Sequence, residues 1–255
     1  AVVGLSGGID SALTATIAKN ALGSKNVVGI SMPSIYSSDH SVEDARLLAK
    51  NLGIDFQIIP IKKINEQMLD DLSPILNGSS GLAEENLQAR IRGNILMSVS
   101  NKIGALVLNT GNKTELALGY CTMYGDMCGA LGVISDINKL EVYEISKWIN
   151  KISSKLVIPN NSIKKKPSAE LSENQYDPFD YNLVSPIVDH IINDLADVND
   201  LLNMGYEIEL INDIFNKIHT SEYKRRQAPP GIKVSEKAFG MGRRYPMNNQ
   251  YRIEK

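Results

Sequence analysis

The octapeptide Gly4-Leu5-Ser6-Gly7-Gly8-Ile9-Asp10-Ser11 constrains this chain more than any other feature. It follows the apolar run Ala1-Val2-Val3, which reads as a strand, and precedes residues 12–18, which read as a helix. A small-residue turn between strand and helix is a phosphate cradle. Glycines let the backbone approach, and the free N–H groups at the helix start point at the anion. Ser6 and Ser11 add hydroxyl donors. Asp10 is the odd member, because a carboxylate repels phosphate. A metal ion held between the two reconciles them.

The loop is not a Walker A element, which needs Gly-Lys-Ser/Thr after a four-residue gap. No Gly-Lys pair occurs in the chain. Nor is it Gly-x-Gly-x-x-Gly. Ser-Gly-Gly-x-Asp-Ser resembles instead the pyrophosphate loop of the ATP pyrophosphatases, enzymes that cleave ATP between its α and β phosphates and adenylate a carbonyl oxygen. The bland alternative is a glycine-rich turn with a structural job only.

Further along, strand-like and helix-like runs alternate. Residues 27–32, 56–61 and 105–109 read as strands. Between them, Val42, Ala45, Leu48, Ala49 and Leu52 fall at helical spacing. That helix is led by Asp39-His40-Ser41, with Ser41 as the expected cap, Asp44 three residues on, and Gly53 as the stop. A long helix is expected over about residues 83–102, ended by Gly104. This alternation gives a Rossmann-like parallel sheet sandwiched by helices, an α/β fold. In such sheets ligands bind at the carboxyl ends of the strands, and the loops 4–11, 32–38 and 109–115 converge there. The last third differs. Lys164-Lys165-Lys166-Pro167-Ser168 and the polar stretch 173–181 read as a mobile loop, ordered by ATP. Helical spacing returns at Ile208, Ile211, Phe215 and Ile218. The expected organisation is one domain over 1–255: an α/β core over 1–158, a mobile loop over 159–182, and a helical segment with a tail over 183–255.

Composition excludes several classes. The formal net charge is −2, so no broad attraction to nucleic acid or an anionic membrane is implied. No apolar run approaches the roughly 18 residues of a membrane span, and no secretory signal pattern is present. Cys121 and Cys128 are the only cysteines. Two in so long a chain suit a reducing compartment, hence the cytoplasm, and their spacing fits neither a redox nor a zinc pair. His40, His190 and His219 are too scattered for a metal site. The chain starts inside its first strand, which reads as a domain cut from something longer.

With these pieces in place, the chain resembles the synthetase domain of the NAD+ synthetases over nearly its whole length. The likeness rests on Ser6-Gly7-Gly8-Ile9-Asp10-Ser11, Met32-Pro33-Ser34-x-Tyr36-Ser37-Ser38 and Ala83-Glu84-Glu85-Asn86-Leu87-Gln88-Ala89-Arg90. It extends through Thr110-Gly111-Asn112-Lys113-Thr114-Glu115, Tyr124-Gly125-Asp126-Met127 and Lys166-Pro167-Ser168-Ala169-Glu170-Leu171. The tail Tyr223-Lys224-Arg225-Arg226-Gln227-Ala228-Pro229-Pro230-Gly231 resembles the glutamine-dependent branch. So do two departures, Met123 and Ala130, where ammonia-dependent members carry lysine and aspartate.

The resemblance implies ATP-dependent amidation of deamido-NAD+ to NAD+, with ATP as co-substrate and Mg2+ as cofactor. The nicotinate carboxylate attacks the α-phosphate, pyrophosphate leaves, and ammonia displaces AMP. Asp10 and Glu115 are then the catalytic carboxylates and metal ligands. Gly4, Leu5 and Ile9 belong with Ser6, Gly7, Gly8, Asp10 and Ser11 to the ATP-binding loop. Thr110 and Met32 frame the adenosine, and Lys139 and Ser168 approach the phosphates. Asn86, Arg90, Glu115 and Lys224 contact deamido-NAD+. The resemblance also implies a homodimer, and a glutaminase domain or partner as ammonia source. Bland readings stand beside these. Arg90 and Arg92 fit a solvated helix face, Glu115 a helix cap, and the lysine run a solvated loop with one or two members engaged. Another ATP pyrophosphatase such as GMP synthetase, or a non-catalytic nucleotide-binding module, is the alternative.

Overall fold

The computed structural model of the chain describes residues 1–76, 81–240 and 242–247. Its centre is a five-stranded sheet in the order β3-β2-β1-β4-β5. The strands are β1 (Val2–Gly4), β2 (Val28–Ser31), β3 (Asp55–Ile58), β4 (Val107–Asn109) and β5 (Leu131–Gly132), and every pairing is parallel. Consecutive residues of a strand face opposite sides, so a strand covered on both faces must be apolar throughout. Val2 and Val3 are both fully buried, Val2 against one core and Val3 against the other. The chain runs outward from β1 to β3, then returns to β4 beside β1. That reversal opens a crevice at the carboxyl ends of β1 and β4, where open α/β sheets bind ligands.

Helices cover both faces, as the alternating pattern requires. One face packs against α1 (Ile9–Leu22), α2 (Asp39–Leu52) and, further along, α6 (Lys139–Ile152), around Val3, Leu13, Leu48 and Val142. The other carries α3 (Lys62–Leu76) and α4 (Leu82–Ile103), around Val2, Ile30, Leu87 and Ile91. The short helix α5 (Lys113–Leu118) follows β4, and α7 (Asn160–Lys164) follows α6.

A third core lies beyond the sheet edge. It gathers α8 (Tyr181–Asp189), a π-helical turn (His190–Asp194), α9 (Val198–Asn203) and α10 (Ile208–Thr220) onto the end of α5, and α11 (Glu222–Arg225) joins α5 through Arg225 hydrogen bonds. Ile187, Ile192, Leu201, Ile211 and Ile218 are buried there against Ala117 and Leu118. The chain then returns to the sheet. Gly132 N donates to Pro230 O at 2.9 Å and Ile232 N to Gly132 O at 3.2 Å, so the tail extends the β5 edge.

Some local expectations shift. The α2 cap is Ser38, whose hydroxyl accepts from Ser41 N, so the cap lies three residues before the expected one. Ser41 is inside the helix because Ser38 offers the same oxygen one turn earlier. The helix α3 and the strand β5 were not expected. β5 is two residues long, shorter than any period can announce. The stretch 159–182 holds α7 and a loop with specific partners. The end of the expected tail, from residue 248, lies outside the described residues.

Candidate active site

The loop after β1 is held open by its own side chains. Ser11 Oγ donates to Gly8 O at 3.1 Å and lies 3.2 Å from Ser6 Oγ, and Gly8 N donates to Ser6 Oγ at 3.2 Å. Gly7 sits at φ +76°, and a Cβ there would meet Ser41 O at 2.3 Å. Only glycine fits that conformation and that approach. Gly8 caps α1 without a side-chain hydrogen bond. The first N–H groups of α1 therefore face the crevice, the disposition that binds anions.

The same crevice receives two more helix N-termini, and both use one device. Asn112 caps α5: its Oδ1 accepts from Glu115 N at 3.0 Å, while Glu115 Oε2 accepts from Asn112 N at 3.2 Å. Asn138 repeats this reciprocal box at α6 with Glu141. The box fixes where each helix starts. It thereby places Glu115 on the first turn of α5 and Lys139 at the first position of α6. The two meet at Asp10. Lys139 Nζ lies 2.6 Å from Asp10 Oδ2 and 3.2 Å from Glu115 Oε1, and 5.1 Å from the Tyr181 ring centre.

Exposure decides how this cluster works. The Lys139 side chain is 3% exposed, whereas Asp10 and Glu115 are 19% and 18% exposed. The ammonium comes from the protein side, and the carboxylates open to the crevice. Burial pulls Lys139 toward neutrality, but Asp10 and Glu115 overcome this and hold it well above the usual lysine range. Burial pushes the Glu115 carboxyl up to about 7 against the pull of Lys139, and the Asp10 charge pushes the same way. With Glu115 ionised, one cation for two carboxylates leaves net negative charge facing the cleft. Asp177 adds to it, its carboxylate accepting from Tyr181 OH at 2.8 Å.

The cavity has two ends sharing Ser6, Gly8, Asn109, Thr110 and Ser168. Asp10, Glu115, Lys139 and Lys166 line the polar end. Met32, Leu96 and Val107 line the apolar end, with Arg92 at its wall donating to Met32 O at 3.0 Å. A long polyanion beside an apolar ring would suit this shape. Loop 165–177 roofs it. On one side Glu170 accepts from Ser41 Oγ at 2.6 Å and Ser38 Oγ at 3.1 Å, and Lys165 Nζ donates to Ser41 Oγ at 2.9 Å. On the other, Gln88 donates to Leu171 O at 2.8 Å and Ser172 to Glu85 at 2.9 Å.

Most residues expected at an ATP site gather round one cavity: Gly4, Leu5, Ser6, Gly8, Met32, Thr110 and Ser168 line its apolar end, and Ile9, Asp10, Ser11, Glu115 and Lys139 its polar end, while Gly7 packs against Ser41 and does not line it. Asn86, Arg90 and Lys224 do not line it. All three instead grip the segment that forms its rim. Asn86 accepts from Thr122 Oγ1 at 2.6 Å, Arg90 donates to Met123 O at 3.3 Å, and Lys224 donates to Gly119 O at 2.7 Å and Cys121 O at 2.8 Å. Sequence reasoning gave no role to Asn112, Glu170 or Asp177, and it read Arg92 as part of a solvated helix face, whereas Arg92 is half-buried at the cavity wall. Asn112 and Glu170 stand inside motifs already noticed, and that position was the available signal. Asp177 had none, because only the fold brings it to the crevice.

Comparison with known proteins agrees with this geometry. Residues 1–228 match the family model described as NAD synthase. The chain is 49% identical over 251 residues to a glutamine-dependent NAD(+) synthetase of Synechocystis sp., covering 97% of this chain and 45% of that protein. The Thermotoga maritima glutamine-dependent NAD(+) synthetase is 46% identical, with 98% and 44% covered. Among solved structures, the glutamine-dependent NAD+ synthetase of Acinetobacter baumannii, in complex with ADP, superposes with a TM-score of 0.64 at 40% identity, covering 96% of this chain and 45% of that one. The NH3-dependent NAD synthetase of Campylobacter jejuni gives 0.69 at 32% identity, with 88% and 85% covered. This chain thus spans about half the length of the glutamine-dependent relatives and most of the ammonia-dependent one. With the parallel sheet, the phosphate loop and the matched length all in agreement, the chain belongs to the NAD synthase family.

Proposed function

We propose that this chain converts deamido-NAD+ to NAD+ by ATP-dependent amidation, through an adenylated nicotinate, with ammonia as nitrogen donor and AMP and pyrophosphate as products. One observation carries the reading. Asp10 and Glu115, from two distant motifs, converge on a single positive charge below an anion-binding loop. Two carboxylates turned on one point are the oxygen donors Mg2+ takes, and the space left toward the cleft suits an ion that keeps several waters. Bound there, Mg2+ would neutralise the phosphate oxygens as pyrophosphate leaves.

The chain's own residues then do the positioning. Phosphoryl-type transfer asks for alignment and charge neutralisation rather than covalent help. The α1 N-terminus with Ser6, Gly7, Gly8 and Ser11 holds the departing pyrophosphate. Lys139 keeps the carboxylate pair from repelling it. Met32, Thr110 and the apolar wall seat the adenosine, and Ser168 and the lysines of the roof close over the phosphates. Loop 165–177 excludes water, which would hydrolyse an acyl adenylate. Asn86, Arg90 and Lys224 shape the 119–123 rim toward deamido-NAD+. A homodimer and an ammonia-supplying glutaminase remain part of the proposal, supported by the family resemblance. No described helix is long and apolar enough to cross a membrane.

Pyrophosphate release tests the reading. With ATP and Mg2+, release should require deamido-NAD+, and ammonium should complete NAD+ formation. Glutamine in place of ammonium reports whether an amidase acts with the chain. Release driven by xanthosine monophosphate instead, or ATP binding without any release, would replace the reading with another ATP pyrophosphatase or a silent nucleotide binder. Light scattering at micromolar concentration tests the dimer.

A further inference from the structure

Asn112 is fully buried, and its contacts run in two directions. Its Oδ1 accepts from Glu115 N at 3.0 Å, its backbone N donates to Glu115 Oε2 at 3.2 Å, and its Nδ2 donates to Asp10 Oδ1 at 2.9 Å. Each carboxylate thus has one oxygen on Asn112. The other oxygen of each, Asp10 Oδ2 and Glu115 Oε1, faces Lys139 Nζ. One residue sets both rotamers and turns the other two oxygens on the same point, the Lys139 ammonium.

We propose that Asn112 is a positioning residue for the cation site, locking Asp10 and Glu115 in the geometry that accepts a divalent ion. This rests on the reading of that pair as metal ligands. Asparagine suits both tasks through its two separate polar atoms. Serine, threonine or aspartate would cap α5 equally well, since capping asks only for an acceptor. Holding Asp10 asks the same side chain for a donor as well; a hydroxyl donates and accepts through one oxygen on a short arm, whereas asparagine carries acceptor and donor on two separate atoms and spans both partners. The donor is neutral, so it orients the carboxylate without adding a competing cation. Asn138 shows that the second arm is not part of the cap itself. It caps α6 with the same box but sends its Nδ2 to Asp189, which pairs with the buried Lys113 at 2.9 Å, away from the two site carboxylates. The device is shared, and its target differs. Lys113, the next residue, is anchored on Asp189 and on Asn193 Oδ1 at 3.0 Å, so the loop is fixed from behind while Asn112 reaches forward.

Two variants of the full chain separate positioning from capping. Asn112→Ser keeps the capping acceptor and loses the arm to Asp10. Asn112→Asp keeps size and cap and turns an acceptor on Asp10. Asn112→Ser should melt near the parent, whereas Asn112→Asp buries a carboxylate beside Asp10 and should melt lower. In Asn112→Ser, the Mn2+ dissociation constant, read by electron paramagnetic resonance without turnover, should rise about 10- to 100-fold, the usual effect of losing an outer partner of a metal ligand. The Mg2+ concentration for half-maximal pyrophosphate release should rise with it, while the ATP KM at saturating Mg2+ stays within about threefold. In Asn112→Asp, turnover at saturating Mg2+ should fall about tenfold or more. A parent that binds Mn2+, with an Asn112→Ser variant that binds it equally well, overturns the inference alone. So does a lowered melting temperature of Asn112→Ser with unchanged metal affinity, which would make Asn112 a cap and nothing more. A parent that binds no Mn2+ overturns the reading of the site together with the inference.

Discussion

The two ends of α5 face two different chemistries. Its N-terminus looks into the cleft, where one buried ammonium serves two carboxylates. Its C-terminus looks into the helical lobe, where donors and acceptors balance. Arg225 donates to Leu116 O at 3.1 Å, to Ala117 O at 3.0 Å and to Ile218 O, pairs with Glu222 at 3.0 Å, and lies 4.7 Å from the Phe239 ring centre. Ser221 reaches Leu118 O and Lys224 reaches Gly119 O, so the last carbonyls of the helix have side-chain donors in sequence. A helix this short has little stability of its own. It is held by the lobe at one end and put to use in the cleft at the other. Buried charge that is fully matched builds structure. Buried charge left in excess marks the site, because it must be compensated by something that binds.

That contrast is broken most severely by Asp10→Asn. We expect turnover to fall about a thousandfold, or roughly 4 kcal/mol of transition-state stabilisation. Stability should fall by no more than about 2 kcal/mol, because the new amide must turn its NH2 toward either Lys139 or the Asn112 donor. Steady-state pyrophosphate release and thermal melting on the same samples check both halves. Activity within tenfold of the parent would remove Asp10 from the chemistry. A collapse of stability would mean that the cleft, like the lobe, is built on matched charge.

The mirror experiment is Arg225→Leu. Here the loss should be in stability, about 3–5 kcal/mol, because Glu222 is left buried with only the partly exposed Arg226 and three carbonyls lose their donor. Denaturant unfolding measures it. Turnover per folded molecule should change far less than in Asp10→Asn. Arg225→Lys should recover little, since one ammonium cannot reproduce the guanidinium fork on Glu222 and the carbonyls.

The two ends also differ in how plainly the sequence announces them. The loop after β1 was legible as a candidate anion site because the groups it offers are local: glycines, two hydroxyls and a carboxylate, all within eight residues. Thr110-Gly111-Asn112-Lys113-Thr114-Glu115 was legible for the same reason, and with it the site carboxylates. The Rossmann-like sheet followed from alternating apolar runs, although β5 is too short to carry a period. The lobe was not legible as an assembly. Its helices show in the spacing of Ile208, Ile211 and Ile218, but nothing near Arg225 says that it ends a helix 109 residues earlier. Lys224 was expected at the substrate from the family pattern, and its ammonium donates to two rim carbonyls, a contact that nothing near it in the sequence announces. Asp177 and Glu170 act through folding of a polar loop that has no period. Partners fixed by tertiary structure leave no local trace.

Where cleft and lobe meet, the two cysteines report how tightly the seam is held. Cys121 belongs to the rim gripped by Lys224, and burial pushes its thiol up to about 12 from 9.0, with the Asp126 charge acting the same way. Burial pushes Cys128, beside Gly93 on α4, up to about 11. Because the thiolate is the nucleophile, alkylation at pH 8 should be slower than that of a free thiol by about a hundredfold at Cys128 and about a thousandfold at Cys121. The sign for stability follows from the raised values. The folded chain keeps protons that the unfolded chain releases near pH 9, so this contribution is full below pH 9 and is lost as pH rises toward 11–12. Mass spectrometry after timed iodoacetamide treatment reads the rates. Fast labelling of Cys121 alone would mean that the rim is loosely held and that the lobe does not reach the cleft.

The smallest effect is expected in the roof. Glu170 sits at φ +48°, a left-handed conformation that costs a non-glycine residue about 1 kcal/mol. It is held there by three donors from the start of α2, Ser38 N, Ser38 Oγ and Ser41 Oγ. A latch closed against strain opens readily once a bond is lost. Glu170→Gln replaces one accepting oxygen by a donor that must face those hydroxyls, a net loss of about 1 kcal/mol, or roughly fivefold in the open population. Limited proteolysis within 165–177 should therefore quicken about fivefold, with melting of the whole chain hardly moved. Mg2+ and ATP should slow cleavage in both proteins if the roof closes on nucleotide. Equal cleavage of parent and variant would mean that the Leu171 and Ser172 contacts to α4 hold the roof alone. The cleft would then be closed by a matched network like that of the lobe, and the strain at Glu170 would have no part in opening it.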